Sequence, residues 1–154
     1  MDLLSYFLKI DPTTAEIVEI EGPPSFKDEK GNPIKMKVRA LSQEKMDEIF
    51  DRYTTKTIVR DKKKNPIVVN GEVVVKRERN SSKAVRHIVA LALVDPDPSN
   101  PKLQEHFGCF ELPDMIYKLF PKTEDYNYVI NEVLRVCGVS NDMEEDDDIE
   151  LAKN

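Results

Sequence analysis

The run from Ala84 to Val94 constrains this chain most, because Ala84, Val85, Ile88, Val89, Ala90, Leu91, Ala92, Leu93 and Val94 leave it almost no polar side. A helix apolar all round survives in water only when other elements surround it, so this segment is the expected central core helix, starting at Ser81 or Ser82. Asp95-Pro96-Asp97-Pro98 ends it, since each proline pushes its predecessor out of helical geometry and lacks the N–H a helix needs. With 154 residues there is apolar material for one such core, and dividing it between two domains would leave too little for each. The expected organisation is a single domain over residues 1–140, interrupted by a basic hairpin at 57–80, with a disordered acidic tail at 141–154.

The other elements follow from spacing and punctuation. Leu3, Leu4, Phe7 and Leu8 repeat at helical spacing behind Asp2, predicting a short amphipathic helix with one sticky face in need of a partner. Ile17-Val18-Glu19-Ile20 is β-prone and stops at Gly22-Pro23-Pro24. Ile34, Met36 and Val38 alternate with Lys35, Lys37 and Arg39 after the turn residues Lys30-Gly31-Asn32-Pro33, predicting a hairpin with residues 25–28. Ser42 caps a helix carrying Met46, Ile49, Phe50 and Tyr53, with Leu41 placed to pack on Met46. Asn70-Gly71 between two valine-rich runs predicts a second hairpin with a tight turn. Asn100-Pro101 opens a short helix that Gly108 closes, and another runs over 113–120. Thr123 is the expected cap of a last helix whose stripe is Tyr126, Val129, Ile130, Val133, Leu134 and Cys137, with Gly138 as terminator and Val139 folding back on Leu134. The fold class is therefore α+β, a mainly helical domain with N-terminal β-hairpin elements and a disordered acidic C-terminal tail.

Charge divides the chain unevenly. Residues 141–154 carry seven acids against Lys153, which accounts for the whole net charge of −6, so the first 140 residues balance. A block of like charge repels itself and buries almost nothing, hence the expected disorder. Residues 56–86 hold ten basic side chains against Asp61, Glu72 and Glu78. A phosphate-binding role for this segment, as in a small nucleic-acid-associated regulatory protein, is the alternative reading. Against it, the segment has no aromatic on which bases could stack, and charges of this kind also keep hairpin edges from aggregating. The two oppositely charged regions are tethered, so the tail folding back on the hairpin is a further expectation.

Reactive groups are sparse. His87 and His106 fall on different predicted helices, and His106 beside Cys109 supplies too few ligands for zinc. Cys109 or Cys137 with a histidine would form a nucleophile pair only if something lowered the thiol pKa, and Cys137 sits at the wrong end of its helix for that. No glycine-rich phosphate loop is present, and the acidic run 144–150 lacks the central glycine and alternating ligands of a calcium loop. The expectation is no enzyme, no metal and no cofactor. No apolar run is long enough to span a bilayer, the first ten residues lack signal-peptide character, and two cysteines fit free thiols in a reducing compartment, so the expected location is cytoplasmic.

In order and spacing, several stretches resemble the XkdN-like tail assembly chaperones of phages and prophages. They are Phe26-Lys27-Asp28-Glu29-Lys30-Gly31-Asn32-Pro33 with Lys37-Val38-Arg39-Ala40-Leu41-Ser42, then Ala92-Leu93-Val94-Asp95-Pro96 and Pro101-Lys102-Leu103-Gln104-Glu105-His106-Phe107-Gly108. The last is Leu119-Phe120-Pro121-Lys122-Thr123-Glu124-Asp125-Tyr126, leading to Cys137-Gly138. The basic hairpin departs from that pattern in being longer and more charged. The resemblance implies a cytoplasmic, non-enzymatic protein of virion assembly, absent from the mature virion. It would bind the tape measure protein, keep it soluble, and help bring tail tube protein around it, with self-association a further expectation and no membrane partner.

Short helices with apolar faces, separated by prolines, can form grooves for an amphipathic partner helix. The densest apolar and aromatic cluster is Leu103, Phe107, Phe110, Met115, Ile116, Leu119 and Phe120, which is the expected partner-binding surface. Taken one by one, large apolar residues more often pack the core of their own domain.

Overall fold

The computed structural model describes residues 2–11 and 15–139, and the backbone of 147–151. It is an α+β fold of six helices and two small antiparallel sheets among the described residues.

The central helix α3 (Ser81–Ala92) meets the expectation set by its composition. Ala84, Val85, Ile88, Val89, Ala90 and Ala92 are all buried, and α3 packs against α2 (Gln43–Arg52), α5 (Leu112–Leu119) and α6 (Thr123–Val136). Burying one side chain of the size of Ile88 contributes ~1.5–3 kcal/mol, which is why the other helices collect around this one. Two details differ from the sequence reading. Asn80, one residue before the serines, caps the helix through its side chain on the Lys83 amide at 3.0 Å. Leu93 and Val94 leave the helix and with Asp95 form strand β6 (Leu93–Asp95). Pro96 forces extended geometry on the residue before it, and the neighbouring sheet edge takes up the freed backbone.

That sheet has the order β1 (Ile17–Glu21), β2 (Lys35–Arg39), β6, all antiparallel. The apolar half of the alternation in β2, Met36 and Val38, is buried, and Ile20 opposite Met36 joins it. The predicted partner of β2 was residues 25–28, but the ladder runs to β1 and residues 25–28 supply only an isolated bridge, Lys27 to Pro33. Pro23 and Pro24 have no N–H to give a ladder, so the chain between β1 and β2 is a loop closed by Asp28, whose carboxylate accepts from the amides of Lys30 and Asn32, both at 2.9 Å.

α2 is capped by Ser42 as expected, its hydroxyl accepting from the Lys45 amide at 3.1 Å. After α4 (Pro101–Phe107) and after α6, a left-handed glycine ends the helix with the paired hydrogen bonds of a Schellman motif. Gly138 donates to Arg135 and Val139 to Leu134, while Gly108 donates to Glu105 and Cys109 to Gln104. Thr123 is the first residue of α6, and Lys122 holds the cap position with no side-chain hydrogen bond. The buried Asp125 carboxylate reaches outward, accepting from the Ser25 amide at 3.1 Å and tying the loop after β1 to this helix.

The second sheet is built on β5 (Glu72–Arg79). β4 (Val68–Val69) pairs with its start across the Asn70-Gly71 turn, where both residues have positive φ, and β3 (Thr54–Ile58) pairs with its end. Within the acidic segment, the backbone of Asp147–Leu151 forms strand β7, antiparallel to β5. Backbone pairing is what the edge of a projecting strand offers to any extended segment tethered nearby. The rest of the expected tail, 141–146 and 152–154, lies outside the described residues.

Candidate partner-binding surfaces

The seven residues expected to bind a partner do not share one environment. Met115, Ile116 and Phe120 are buried, and Phe120 meets Phe26 edge to face with ring centroids 5.8 Å apart. Leu103, Phe107 and Leu119 are half-buried, with Phe107 edge-on to the His106 ring. Phe110 alone stands out, 70 % exposed in the connection between α4 and α5. The reason lies in helical phase. Met115 and Ile116 occupy the face of α5 turned to α3, whereas Phe110 precedes α5 and has no helix to turn it inward.

Around Phe110, a shallow groove is lined by Cys109, Glu111, Asp114, Tyr117 and Lys118. Tyr117 is held in place there. It stacks on Tyr126 at 5.5 Å, and the Arg86 guanidinium sits 4.3 Å from its ring centre, an arrangement favourable to a cation with little water around it. Arg86 is buried, and Ser82 accepts from it at 2.6 Å. Tyr117 was not among the expected site residues. Its position next to Ile116 on the outward side of α5 was a readable signal, but its contact with Arg86 had none.

A second apolar surface lies at the N-terminus. In α1 (Leu3–Leu8), Leu3, Leu4, Tyr6, Phe7 and Leu8 are between 61 % and 75 % exposed, and no residue of the helix is buried. Asp2 caps it as predicted, accepting from the Ser5 amide and hydroxyl, and these bonds hold its carboxyl below the usual range. The helix is formed and its sticky face has no cover among the described residues.

Among the described residues, the titratable groups that depart from their usual values do so through burial, neighbouring charge and local hydrogen bonds. His87 lies where α3 meets the end of α2. Its Nδ1 is 2.6 Å from the Tyr53 hydroxyl oxygen and its Nε2 3.5 Å from Arg52 Nη1. Arg52 can only donate, so Nε2 is the acceptor and Nδ1 carries the hydrogen, donating to Tyr53. Burial, then the positive charges of Arg52 and Lys45, lower the His87 pKa and favour the neutral ring. Burial raises the pKa of the Cys137 thiol, away from the thiolate a nucleophile needs. Among the described residues no cluster of three or more His, Cys, Asp or Glu could hold a metal ion, and no helix is long and apolar enough to cross a membrane.

This arrangement of a helical core with two small antiparallel sheets has a counterpart among solved structures. The crystal structure of the protein YqbN superimposes with a TM-score of 0.64 over 91 % of this chain and 98 % of that one, at 18 % identity, a likeness of fold. No curated protein matches the chain. The family model of the phage XkdN-like tail assembly chaperone proteins matches residues 4–153, and the chain belongs to that family. Its role is therefore in phage tail assembly, through interaction with tail proteins.

Proposed function

We propose that this protein is a non-enzymatic, cytoplasmic chaperone that binds the tape measure protein during tail assembly, aids assembly of the tail tube around it, and is absent from the mature virion. The observation that carries the reading is α1, a capped helix whose five large apolar side chains are all exposed. A formed but uncovered amphipathic helix suits reversible cover of another helix, because its apolar face is already ordered before it binds. Phe110 and Tyr117, with the half-buried Leu103, Phe107 and Leu119, offer a second contact, while Met115, Ile116 and Phe120 support it from within the core.

The test is co-expression with a phage tape measure protein as the client. The client is expected to stay soluble and co-purify with the unaltered chain. With Leu4→Glu and Phe7→Glu combined, co-purification should be lost while the melting temperature stays within about 2 °C, because exposed positions contribute little to stability. A client equally soluble alone, or one captured undiminished by the double variant, rejects the proposal.

A further inference from the structure

The sheet built on β5 carries an observation independent of the apolar surfaces. β3 and β7 both pair with residues 75–78 of β5, so they must lie on its opposite edges. Val74 donates to Ile67 and accepts from Val59, which turns its backbone groups away from β7. Since backbone direction alternates along an antiparallel strand, the N–H and C=O groups of Val75 and Arg77 point to the β7 edge. The strand there belongs to the segment 141–154, net −6, while residues 54–79, which form the β3–β5–β4 sheet, hold eight basic side chains against Asp61, Glu72 and Glu78, net +5.

We propose that the outer edge of β5 is a docking site for an acidic extended peptide strand, and that residues 147–151 of this chain are its resident occupant. A trans strand then enters only by displacing them. The specificity has two parts. Backbone hydrogen bonds from Val75 and Arg77 accept an extended chain of almost any sequence, and the surplus of Lys and Arg selects an acidic one. Basic side chains along the edge also oppose pairing of two copies through it, since two such edges repel. Seven residues separate Val139 from Asp147, a tether short enough for the chain's own strand to compete strongly. At an effective concentration on the order of 1 mM, it holds back a free peptide of ~100 µM affinity roughly tenfold.

The experiment uses the full chain and its Glu150→Pro variant, in which β7 loses the amide of the residue opposite Val75 and so a donor to the β5 edge. Hydrogen exchange should show Val75 and Arg77 protected in the unaltered chain and exposed in the variant, with Lys76 and Glu78, which face β3, unchanged. A synthetic peptide of residues 142–154 should restore that protection to the variant, bind it roughly tenfold tighter than the unaltered chain, and weaken as salt rises. A peptide with Asn and Gln in place of the acids should not bind. Free exchange at Val75 and Arg77 in the unaltered chain would overturn the proposal. So would equal peptide affinity for both proteins, or binding that leaves those two amides unprotected, which would mean charge attraction without strand docking.

Discussion

The β1–β2–β6 sheet and the β3–β5–β4 sheet use the same kind of backbone pairing and differ in what lies behind them. In the first, Ile20, Met36, Val38 and Leu93 are buried against the helical core, with α6 packed on β2. In the second, Ile58, Val68 and Val69 are exposed, and all ten residues from 61 to 70 are exposed. A sheet with helices on one face is stabilised by burial, and its register cannot slip without turning its apolar residues to water. A sheet with neither face covered relies on hairpin turns, cross-strand pairs and edge strands, and is the part of a molecule most open to exchange of partners. The first sheet belongs to the scaffold, while the second projects from it at the junction of α2 and α3, where Asn80 donates to the carbonyl of Tyr53.

The largest effect expected from this contrast is between equivalent truncations. Met36→Ala should cost ~2–5 kcal/mol in denaturant unfolding, as loss of a buried side chain does, while Val68→Ala should change stability by less than about 0.5 kcal/mol. Equal costs would mean that the second sheet is covered in solution and would erase the distinction. Next in size is Gly22→Ala. Gly22 follows β1 and donates to the Ile34 carbonyl at 2.6 Å, and an added Cβ would collide with Ile34 Cγ1. Overpacking of this kind should cost ~1–3 kcal/mol, whereas the same change at the loop glycine Gly31 meets open space and should act only through its positive φ.

The smallest effect concerns the junction. His87 has its pKa lowered by folding, so at mildly acidic pH the unfolded chain binds the extra proton more readily. Its contribution is therefore fully present above the unfolded value of about 6.5 and is lost as pH falls from there toward the folded value. Protonation would put a second hydrogen opposite Arg52, which has only donors to offer. Thermal unfolding between pH 7.5 and 5 should show the melting temperature falling with pH, and His87→Gln should flatten that slope. An unchanged slope would place the pH dependence elsewhere and leave the junction without a titrating hinge.

The helices were legible because their signals are local. An apolar period, Ser42 or Asn100 before the first turn and Gly108 or Gly138 after the last each act within a few residues, and the structure carries all of them. Strand partnership was less legible. Residues 25–28 lie nearer to β2 along the chain than β1 does, and nothing local to Ile34, Met36 and Val38 says that the more distant run will pair with them. The partner-binding cluster divided for a related reason. Composition showed that Phe110, Met115, Ile116 and Phe120 are apolar, but which of them the core would use depends on how α5 is rotated against α3.

What the amino-acid order determined by itself is therefore the six helices, the central place of residues 84–92, the opposite charges of the hairpin and the C-terminal segment, and the kinship with tail assembly chaperones. Only the tertiary structure decided that β1 pairs with β2, that Leu93–Asp95 leaves the helix for the sheet edge, that α1 stands uncovered, and that an acidic strand lies along β5. Each of these depends on distances between residues far apart in the chain. A contact of that kind forms only when the helices around α3 have set the geometry, because its energy depends on what else has been buried beside it.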